Sequence, residues 1–267
     1  MKIVSLNCWD DRTGLAREYL RELDADIYCL QEIASSTTLV HDRGGSCIRP
    51  RLFWELEQML PEHHGYFFPS ARWYYEDERV VPQDDLLLGN ALFVRRGLVM
   101  TSLLSTYVHG GFESVPYGTM ALACTAQAIR LERADNSPLI VGAIHGLWSK
   151  GGKYDTPERL EQAYRFVGIL NRLYGSGDSL VVCGDFNLLP GSRTFSILKG
   201  VFGLRDLVSA HGVTSTRTSL YTSNPEKEGK PLFADYILVN PLVTVKSFEV
   251  VREPEVSDHC PLVLTIE

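Results

Sequence analysis

Short apolar runs bounded by turn-forming residues recur along the whole chain. They are rich in Val, Ile, Leu and Ala, and many stay apolar at consecutive positions, which is typical of strands covered on both faces. The pattern predicts strands that include residues 2–7, 26–31, 86–94, 120–131, 139–145, 179–184, 233–239 and 261–266.

Three other stretches repeat their apolar residues with the helical period, at 15–23, 52–60 and 155–174. The third has the clearest start, because Thr156, Pro157 and Glu158 supply the cap and first-turn chemistry of a helix. Segments 66–73, 150–154 and 222–230 are predicted to be surface loops. Strands interleaved with helices indicate an α/β or α+β domain.

The length of 267 residues suits one large domain or two small ones, and the absence of repeats and linkers favours a single domain over 1–267. No stretch approaches the ~20 apolar residues of a membrane helix. The first seven residues resemble a strand rather than a signal peptide, so a cytoplasmic location is expected. A monomeric state is expected as well.

The chain is acidic, with a net charge of −7 and an isoelectric point of about 5.5. Lys and Arg are scattered without a basic stripe, which argues against a broad nucleic-acid surface but leaves room for a local patch. None of the six cysteines forms a CxxC pair, which argues against a zinc ribbon or a thioredoxin-like motif. They are predicted to be reduced core residues.

Polar residues interrupt the predicted strands at their ends. Five of them follow apolar runs: Asn7, Glu32, His145, Asp185 and Asn187. Three others precede apolar runs: Asp235, Asp258 and His259. If the last two strands run antiparallel to the other four, all eight side chains gather at one edge of the core.

Such a group suits metal-assisted phosphoryl chemistry. Crowded carboxylates repel one another and raise each other's pKa, and a divalent cation removes that penalty. Carboxylate and amide oxygens are the ligands that Mg²⁺ prefers, whereas the lack of paired cysteines and of HExxH argues against zinc. The two histidines, His145 and His259, add proton transfer and stabilisation of an oxyanion.

Six motifs in this order resemble the endonuclease/exonuclease/phosphatase superfamily, the fold of DNase I, AP endonuclease, neutral sphingomyelinase and inositol polyphosphate phosphatases. They are SLNCW, LQEI, GAIHGLW, CGDFNLLP, ADYILV and SDHCPL. The resemblance spans nearly the whole chain. It implies an α+β fold with four layers, in which two mixed, mainly antiparallel sheets pack face to face between helices.

The resemblance also implies a role for each metal ligand. Glu32 is implied to be the main ligand of Mg²⁺ or Mn²⁺, assisted by Asn7 and Asp258. AP endonucleases carry a tyrosine-containing segment where this chain has His145, which makes a DNA-repair role less expected.

Catalytic roles are implied in the same way. Asp185, with Asn187 beside it, is implied to orient or deprotonate the attacking water. His259 is implied to contact the scissile phosphate, with Asp235 as its orienting partner. His145 resembles the second histidine of the DNase-like and sphingomyelinase-like branches, which stabilises the phosphorane or protonates the leaving oxygen. Which group acts as acid and which as base stays open.

Further residues near the motifs are candidates for substrate contacts, although each could instead be structural. Four follow His145, in a segment that could also be a solvated loop leading into a helix cap: Trp148, Lys150, Lys153 and Arg159. Two others, Arg72 and Trp73, could stack on a ring or belong to a packed loop. Segment 34–49 is longer and more polar than a minimal connection and is a candidate cover for the cleft.

Three functions are compatible with these observations. The first is a metal-dependent phosphodiesterase, with nuclease activity as one case. The second is a phosphatase or a sphingomyelinase-like hydrolase, and the acidic surface leans that way because nucleic-acid binding draws on Lys and Arg contacts to phosphate. The third is a non-catalytic binding module. The partner is thus a nucleic acid, a nucleotide, a small phosphoester or a lipid head group.

Overall fold

The computed structural model describes residues 1–37, 49–74, 86–116 and 122–267. The strands are β1 (Lys2–Asn7), β2 (Ile27–Ser35), β3 (His63–Tyr74), β4 (Leu87–Arg95), β5 (Val99–His109), β6 (Glu113–Pro116), β7 (Cys124–Glu132), β8 (Pro138–His145), β9 (Ser179–Asp185), β10 (Arg205–Asp206), β11 (Asp235–Val239), β12 (Val245–Val250) and β13 (Leu262–Ile266). The helices are α1 (Ala16–Leu23), α2 (Leu52–Met59), α3 (Pro157–Asn171), α4 (Arg193–Phe202), α5 (Leu207–Ala210) and α6 (Ser219–Thr222).

The described strands form two mixed sheets. One has seven strands in the order β12-β13-β1-β2-β4-β3-β6, and the other has six in the order β10-β11-β9-β8-β7-β5. Neighbours pair antiparallel except for β1 with β2, β3 with β6, and β8 with β9. This agrees with the predicted fold class.

Alternating side chains of β1 show how the four layers arise. Ile3 belongs to the core that lies against the six-stranded sheet, whereas Val4 belongs to a second core shared with Leu20 of α1 and Leu56 of α2. Since successive strand residues point to opposite faces, the seven-stranded sheet is covered on both sides. On the far side of the other sheet, α3 and α4 pack through residues such as Phe166.

Local chemistry begins the two helices on that side. The Thr156 side chain accepts from the Arg159 N–H at the start of α3, and Pro157 occupies the first turn, as the sequence predicts. The Ser192 side chain caps α4 by accepting from the Thr194 N–H. Helix α4 was not among the three helices that the sequence predicted.

Several sequence-based predictions need correction. The predicted loop 66–73 lies inside β3, where Pro69 sits beside a shift in register against β4, a position that tolerates a residue without an N–H. His63, which lies outside every motif and for which a surface or loop position is the simplest expectation from sequence, is buried, and its Nε2 lies 2.8 Å from the Ala25 carbonyl oxygen. Strands β5 and β12 were missed because they are half-exposed and poor in apolar runs.

Some predictions fall on residues outside the described ranges. These are most of segment 34–49, with His41 and Cys47, and the start of the strand predicted at 120–131. The five described cysteines are free and buried, in agreement with their prediction as reduced core residues. Among the helices in the described part of the chain, none is long and apolar enough to cross a bilayer.

Candidate active site

Three polar side chains lie in one row across neighbouring strands of the six-stranded sheet. The parallel pairing of β8 with β9 places His145 beside Asp185, and the antiparallel pairing of β9 with β11 places Asp235 on the other side of Asp185. The predicted reversal of β11 relative to β9 is therefore confirmed. It brings Asp235, at the start of β11, next to Asp185, at the end of β9.

The seven-stranded sheet contributes Glu32 through a break in regular pairing. The register between β2 and β4 shifts between Leu30 and Ile33, and Glu32 has a left-handed backbone with a φ of 53°. A bulge of this kind re-aims a side chain that a regular strand would direct elsewhere. Here it places Glu32 Oε1 2.9 Å from Asn7 Nδ2, at the end of β1.

Asn7 joins carboxylates from the two sheets. Its Nδ2 also donates to Asp185 Oδ2 at 3.1 Å, while its Oδ1 accepts from the Trp9 N–H at 3.0 Å. The sequence predicted Asn7 as an assisting metal ligand. In the structure its amide holds Glu32 and Asp185 together, so its direct contribution is to their placement.

The loop before β13 adds Asp258 and His259. His259 Nε2 lies 3.7 Å from Asp185 Oδ2 and 3.7 Å from Asp258 Oδ1. His259 Nδ1 lies 2.8 Å from Asp235 Oδ2. The imidazole therefore stands between three carboxylates, one from the same loop and two from the opposite sheet.

His145 and Asn187 complete the group. His145 Nε2 lies 3.9 Å from both Glu32 Oε1 and Asp185 Oδ2. The Asn187 N–H donates to Asp185 Oδ1 at 2.9 Å, which forms an Asx-turn. The Asn187 Nδ2 donates to the Gly146 carbonyl at 3.1 Å. All eight residues predicted as catalytic or metal-binding thus lie in one connected group.

Asp185 is ionised despite its burial. Burial alone would raise its pKa, but the surrounding cationic and imidazole groups outweigh burial and lower the pKa to about 2. In order of effect these groups are His259, His145, Lys153 and Arg217. Asp185 is therefore a hydrogen-bond acceptor at every pH near neutrality.

His259 is held neutral by its surroundings. Burial is the main reason that its pKa falls to about 4, and the nearby Arg217 guanidinium lowers it further. His259 Nδ1 lies 2.9 Å and 2.8 Å from the two carboxyl oxygens of Asp235, which fixes the orientation of the ring. Burial, and next the charge of Asp185, raise the pKa of Asp235 well above its usual value, so one proton lies between Asp235 and His259 Nδ1. Nε2 faces Asp185 and Asp258.

Unpartnered oxygens in this group fit a divalent cation. Asp258 Oδ1 and Asn187 Oδ1 are buried and have no hydrogen-bond partner among the described residues. Buried oxygens of this kind are costly unless a cation or a ligand reaches them. Like the Glu32 carboxylate, they are oxygen ligands of the hard type that Mg²⁺ and Mn²⁺ prefer.

A second grouping of ligand atoms lies within the same site. Asp185, Asp235 and His259 have ligand atoms within 4.8 Å of one another and could hold a metal ion. Because Asp235 and His259 Nδ1 already hydrogen-bond each other, an ion on all three would have to break that bond.

The group opens into a cleft of about 400 Å³. Aromatic residues from distant parts of the chain line it, as do several cations. The predicted contacts Trp73, Trp148 and Lys153 lie in this lining.

Three other predicted substrate contacts lie elsewhere and are corrected. Arg159 is buried, and its guanidinium donates to the carbonyls of Leu147, Tyr154 and Gly152, so it shapes the loop before α3. Lys150 is exposed outside the lining, and Arg72 lies half-buried on β3 outside it as well.

A family model for the Endonuclease/Exonuclease/phosphatase family matches residues 4–259. The chain belongs to this family. Members of the family hydrolyse phosphoester bonds, generally with divalent metals, so the chain is a phosphoester hydrolase rather than a non-catalytic module. A comparison with curated protein sequences finds no match.

Solved structures of the family share the fold at low identity. The chain is similar to a mannosyl-6-phosphatase from Bacteroides thetaiotaomicron, with 15% identity, a TM-score of 0.67, and coverage of 100% of this chain and 99% of that one. It is also similar to the catalytic domain of human Nocturnin with bound sulfate, with 18% identity, a TM-score of 0.63, and coverage of 100% and 94%. A humanized D. rerio TDP2 gives 15% identity and a TM-score of 0.64, with coverage of 100% and 98%.

Arg217, which the sequence analysis did not predict, lies beside Asp258 in the site. Arg217 Nη1 donates to Asp258 Oδ2 at 3.1 Å, and its guanidinium carbon lies 4.4 Å from the centre of the Tyr221 ring. Both residues line the cleft. The surrounding stretch, TSTRTS, has no periodicity. Long-range pairing holds it in place, with a bridge between Arg217 and His259 and backbone hydrogen bonds that join its neighbours to Asp258 and Cys260.

Asp10 was missed as well. Residues 9–11 all have left-handed backbones, with φ values of 49°, 54° and 53°, and Asp10 lines the cleft while staying buried. Burial, and then the charge of Glu32, raise the Asp10 pKa to about 8. The acidic pair at positions 10 and 11, which begins three residues after Asn7, is a signal that the sequence did contain.

Proposed function

We propose that this chain hydrolyses phosphodiester bonds in a reaction that depends on Mg²⁺ or Mn²⁺. The observation that carries the proposal is the convergence of eight polar residues at one edge of both sheets, each with an atom within 3.9 Å of another. A set of carboxylates, an amide and two imidazoles around buried unpartnered oxygens is suited to a cation and a phosphate together.

Glu32 and Asp258 would hold the metal, and Asn7 would keep Glu32 in place. When bound, the metal supplies positive charge to the phosphate oxygens and lowers the pKa of water. Arg217 fixes Asp258 through Oδ2, which leaves Oδ1 directed toward the site.

The remaining residues would orient water and manage protons. Ionised Asp185 accepts a hydrogen bond from the attacking water, and the Asn187 N–H fixes the carboxylate that does so. His259, aligned by Asp235, offers a neutral Nε2 near the same oxygen. His145 is the more exposed imidazole and is placed to stabilise or protonate the leaving oxygen.

A phosphatase is the second candidate function, and one observation favours it. Two buried cations, Lys153 and Arg217, line the cleft in addition to any metal. A phosphomonoester brings one more negative charge than a phosphodiester and would gain more from them. The similarity to a mannosyl-6-phosphatase points the same way.

Turnover of bis-p-nitrophenyl phosphate and p-nitrophenyl phosphate, with Mn²⁺ or with EDTA, tests both candidates. We expect diester hydrolysis with Mn²⁺ that EDTA abolishes and that Glu32→Gln lowers by about 10³-fold, because the variant loses the charge that holds the cation. Glu62→Gln is the matched control, since Glu62 is exposed and away from the cleft.

The outcomes separate the candidates. Faster hydrolysis of the monoester would favour the phosphatase. Full activity in EDTA or in Glu32→Gln would contradict metal-dependent chemistry at this site. The single domain, the monomeric state and the cytoplasmic location stay predictions.

A further inference from the structure

Arg217 is a buried cation with an unused donor. It is 6% exposed and pairs through an isolated bridge with His259, so its side chain lies inside the site. One nitrogen donates to Asp258. Its Nε is buried and has no acceptor among the described residues.

An unpartnered buried N–H of a charged group is costly, on the order of 1–3 kcal/mol or more. The cost persists because two contacts hold the guanidinium in one plane: the bond to Asp258 and the stack on Tyr221. A planar fork fixed in this way is pre-organised for an oxyanion, because no side-chain freedom remains to be lost when the anion arrives.

Lys153 is a second cation in the same lining. It is 6% exposed, and its Nζ donates to the Phe233 carbonyl at 2.7 Å. An ammonium has three protons, so this bond leaves donor capacity for the cleft. Burial, and next the charge of Arg217, lower the Lys153 pKa to about 8, while the charges of Asp185, Asp235 and Asp258 oppose the decrease.

We propose that Arg217 and Lys153 form an oxyanion subsite that binds the non-bridging oxygens of the substrate's phosphate group. Both side chains line the cleft that His259 also lines, Arg217 with a buried N–H that has no acceptor among the described residues and Lys153 with donors beyond its bond to Phe233. A phosphate in the cleft would accept hydrogen bonds from both cations. The inference rests on the proposed function in so far as the anion is the phosphate of the scissile ester. It assigns Arg217 a contact with substrate in addition to its hold on Asp258.

Binding of inorganic phosphate to the full chain at saturating Mn²⁺, measured by calorimetry, tests the subsite without turnover. Arg217→Lys keeps a charge beside Asp258 but loses the Nε donor and the planar fork. We expect its phosphate Kd to rise about 10-fold or more, and Lys153→Gln to do the same. We expect the Mn²⁺ affinity of Arg217→Lys to stay within about 3-fold of wild type.

Matched controls are Arg205→Lys and Lys199→Gln, which alter exposed residues on β10 and α4. Their phosphate Kd is expected to equal that of wild type. If Arg217→Lys weakens Mn²⁺ binding and leaves the phosphate Kd unchanged, Arg217 only positions Asp258 and the proposal is overturned. If a melting curve shows that Arg217→Lys does not fold, an unchanged phosphate Kd in Lys153→Gln overturns the proposal, and a raised one supports it.

The same experiment separates this inference from the proposed function. A wild-type chain that binds phosphate through Arg217 and Lys153 but hydrolyses neither nitrophenyl ester would contradict the function and leave the subsite standing. Normal hydrolysis together with wild-type phosphate binding in both variants would contradict only the subsite.

Discussion

At the scale of single residues, three histidines show how local surroundings decide what one side chain can do. His259 has its Nδ1 hydrogen-bonded to Asp235, and its Nε2 faces Asp185. His145 stands at the mouth of the same group, partly exposed. His63 is buried far along the chain from both, with Nε2 against the Ala25 carbonyl and Nδ1 without a partner among the described residues. The first two are suited to chemistry and the third to structure.

The buried His63 predicts how stability depends on pH. Burial is the main cause that lowers its pKa in the folded chain, whereas in the unfolded chain it titrates near about 6.5. The unfolded chain therefore binds a proton at His63 more readily than the folded chain. As the pH falls below about 6.5, this difference lowers the free energy of unfolding. We expect the free energy of unfolding to fall less between about pH 7.5 and about pH 5 in His63→Gln than in wild type. Urea titrations at both pH values measure this difference. An equal decrease in the free energy of unfolding in His63→Gln and in wild type would contradict the prediction.

At the scale of secondary-structure elements, the site depends on how strands end. Gly184 precedes Asp185 with a φ of 133°, and a Cβ there would lie 2.0 Å from the Ile144 carbonyl oxygen on β8. Both the backbone angle and the close approach of β8 therefore require glycine. This explains the glycine of the CGDFN motif through the placement of Asp185 opposite His145.

Gly184→Ala is expected to lower the free energy of unfolding by about 3 kcal/mol or more, because backbone rather than a flexible side chain must move. Gly200→Ala is the matched control: Gly200 lies in α4 and a Cβ there meets no atom within 4 Å. That change is expected to stabilise by about 0.5–1 kcal/mol. Chemical denaturation measures both, and a mild effect of Gly184→Ala would show that β8 and β9 can separate at this point.

At the scale of the whole molecule, the site lies where the edges of the two sheets meet. Glu32 and Asp258 come from the seven-stranded sheet and its loops, and Asp185 and Asp235 come from the other sheet. Folding therefore brings like charges together, which opposes the packing of the sheets. A cation that binds these residues only in the folded chain would stabilise the folded state by mass action.

Addition of Mn²⁺ is expected to raise the melting temperature by about 5 °C or more when the ion exceeds its Kd about 100-fold, since this corresponds to about 2.7 kcal/mol. The shift is expected to disappear in Glu32→Gln and to persist in Glu62→Gln. Differential scanning fluorimetry with and without EDTA measures it. A shift of equal size in Glu32→Gln would place the ion elsewhere.

The sequence by itself determined the strands that carry the site, their polar ends and the family, because these signals lie in short contiguous stretches such as CGDFNLLP and SDHCPL. It also determined the start of α3, where capping is a local hydrogen bond. Strand β3 was mistaken for a loop because Pro69 and Ser70 interrupt its run of aromatic residues, although that run by itself favours a strand. Its pairing with β4 and β6 carries the strand through the interruption.

Only the tertiary structure decided which cations belong to the site. Lys150 and Lys153 are equivalent in sequence, yet one is exposed and the other is buried against the Phe233 carbonyl. Arg159 turned inward to bind backbone carbonyls, and Arg217 reached Asp258 through a bridge to His259. Burial and long-range pairing depend on residues far away along the chain, so no local pattern could have assigned these three roles.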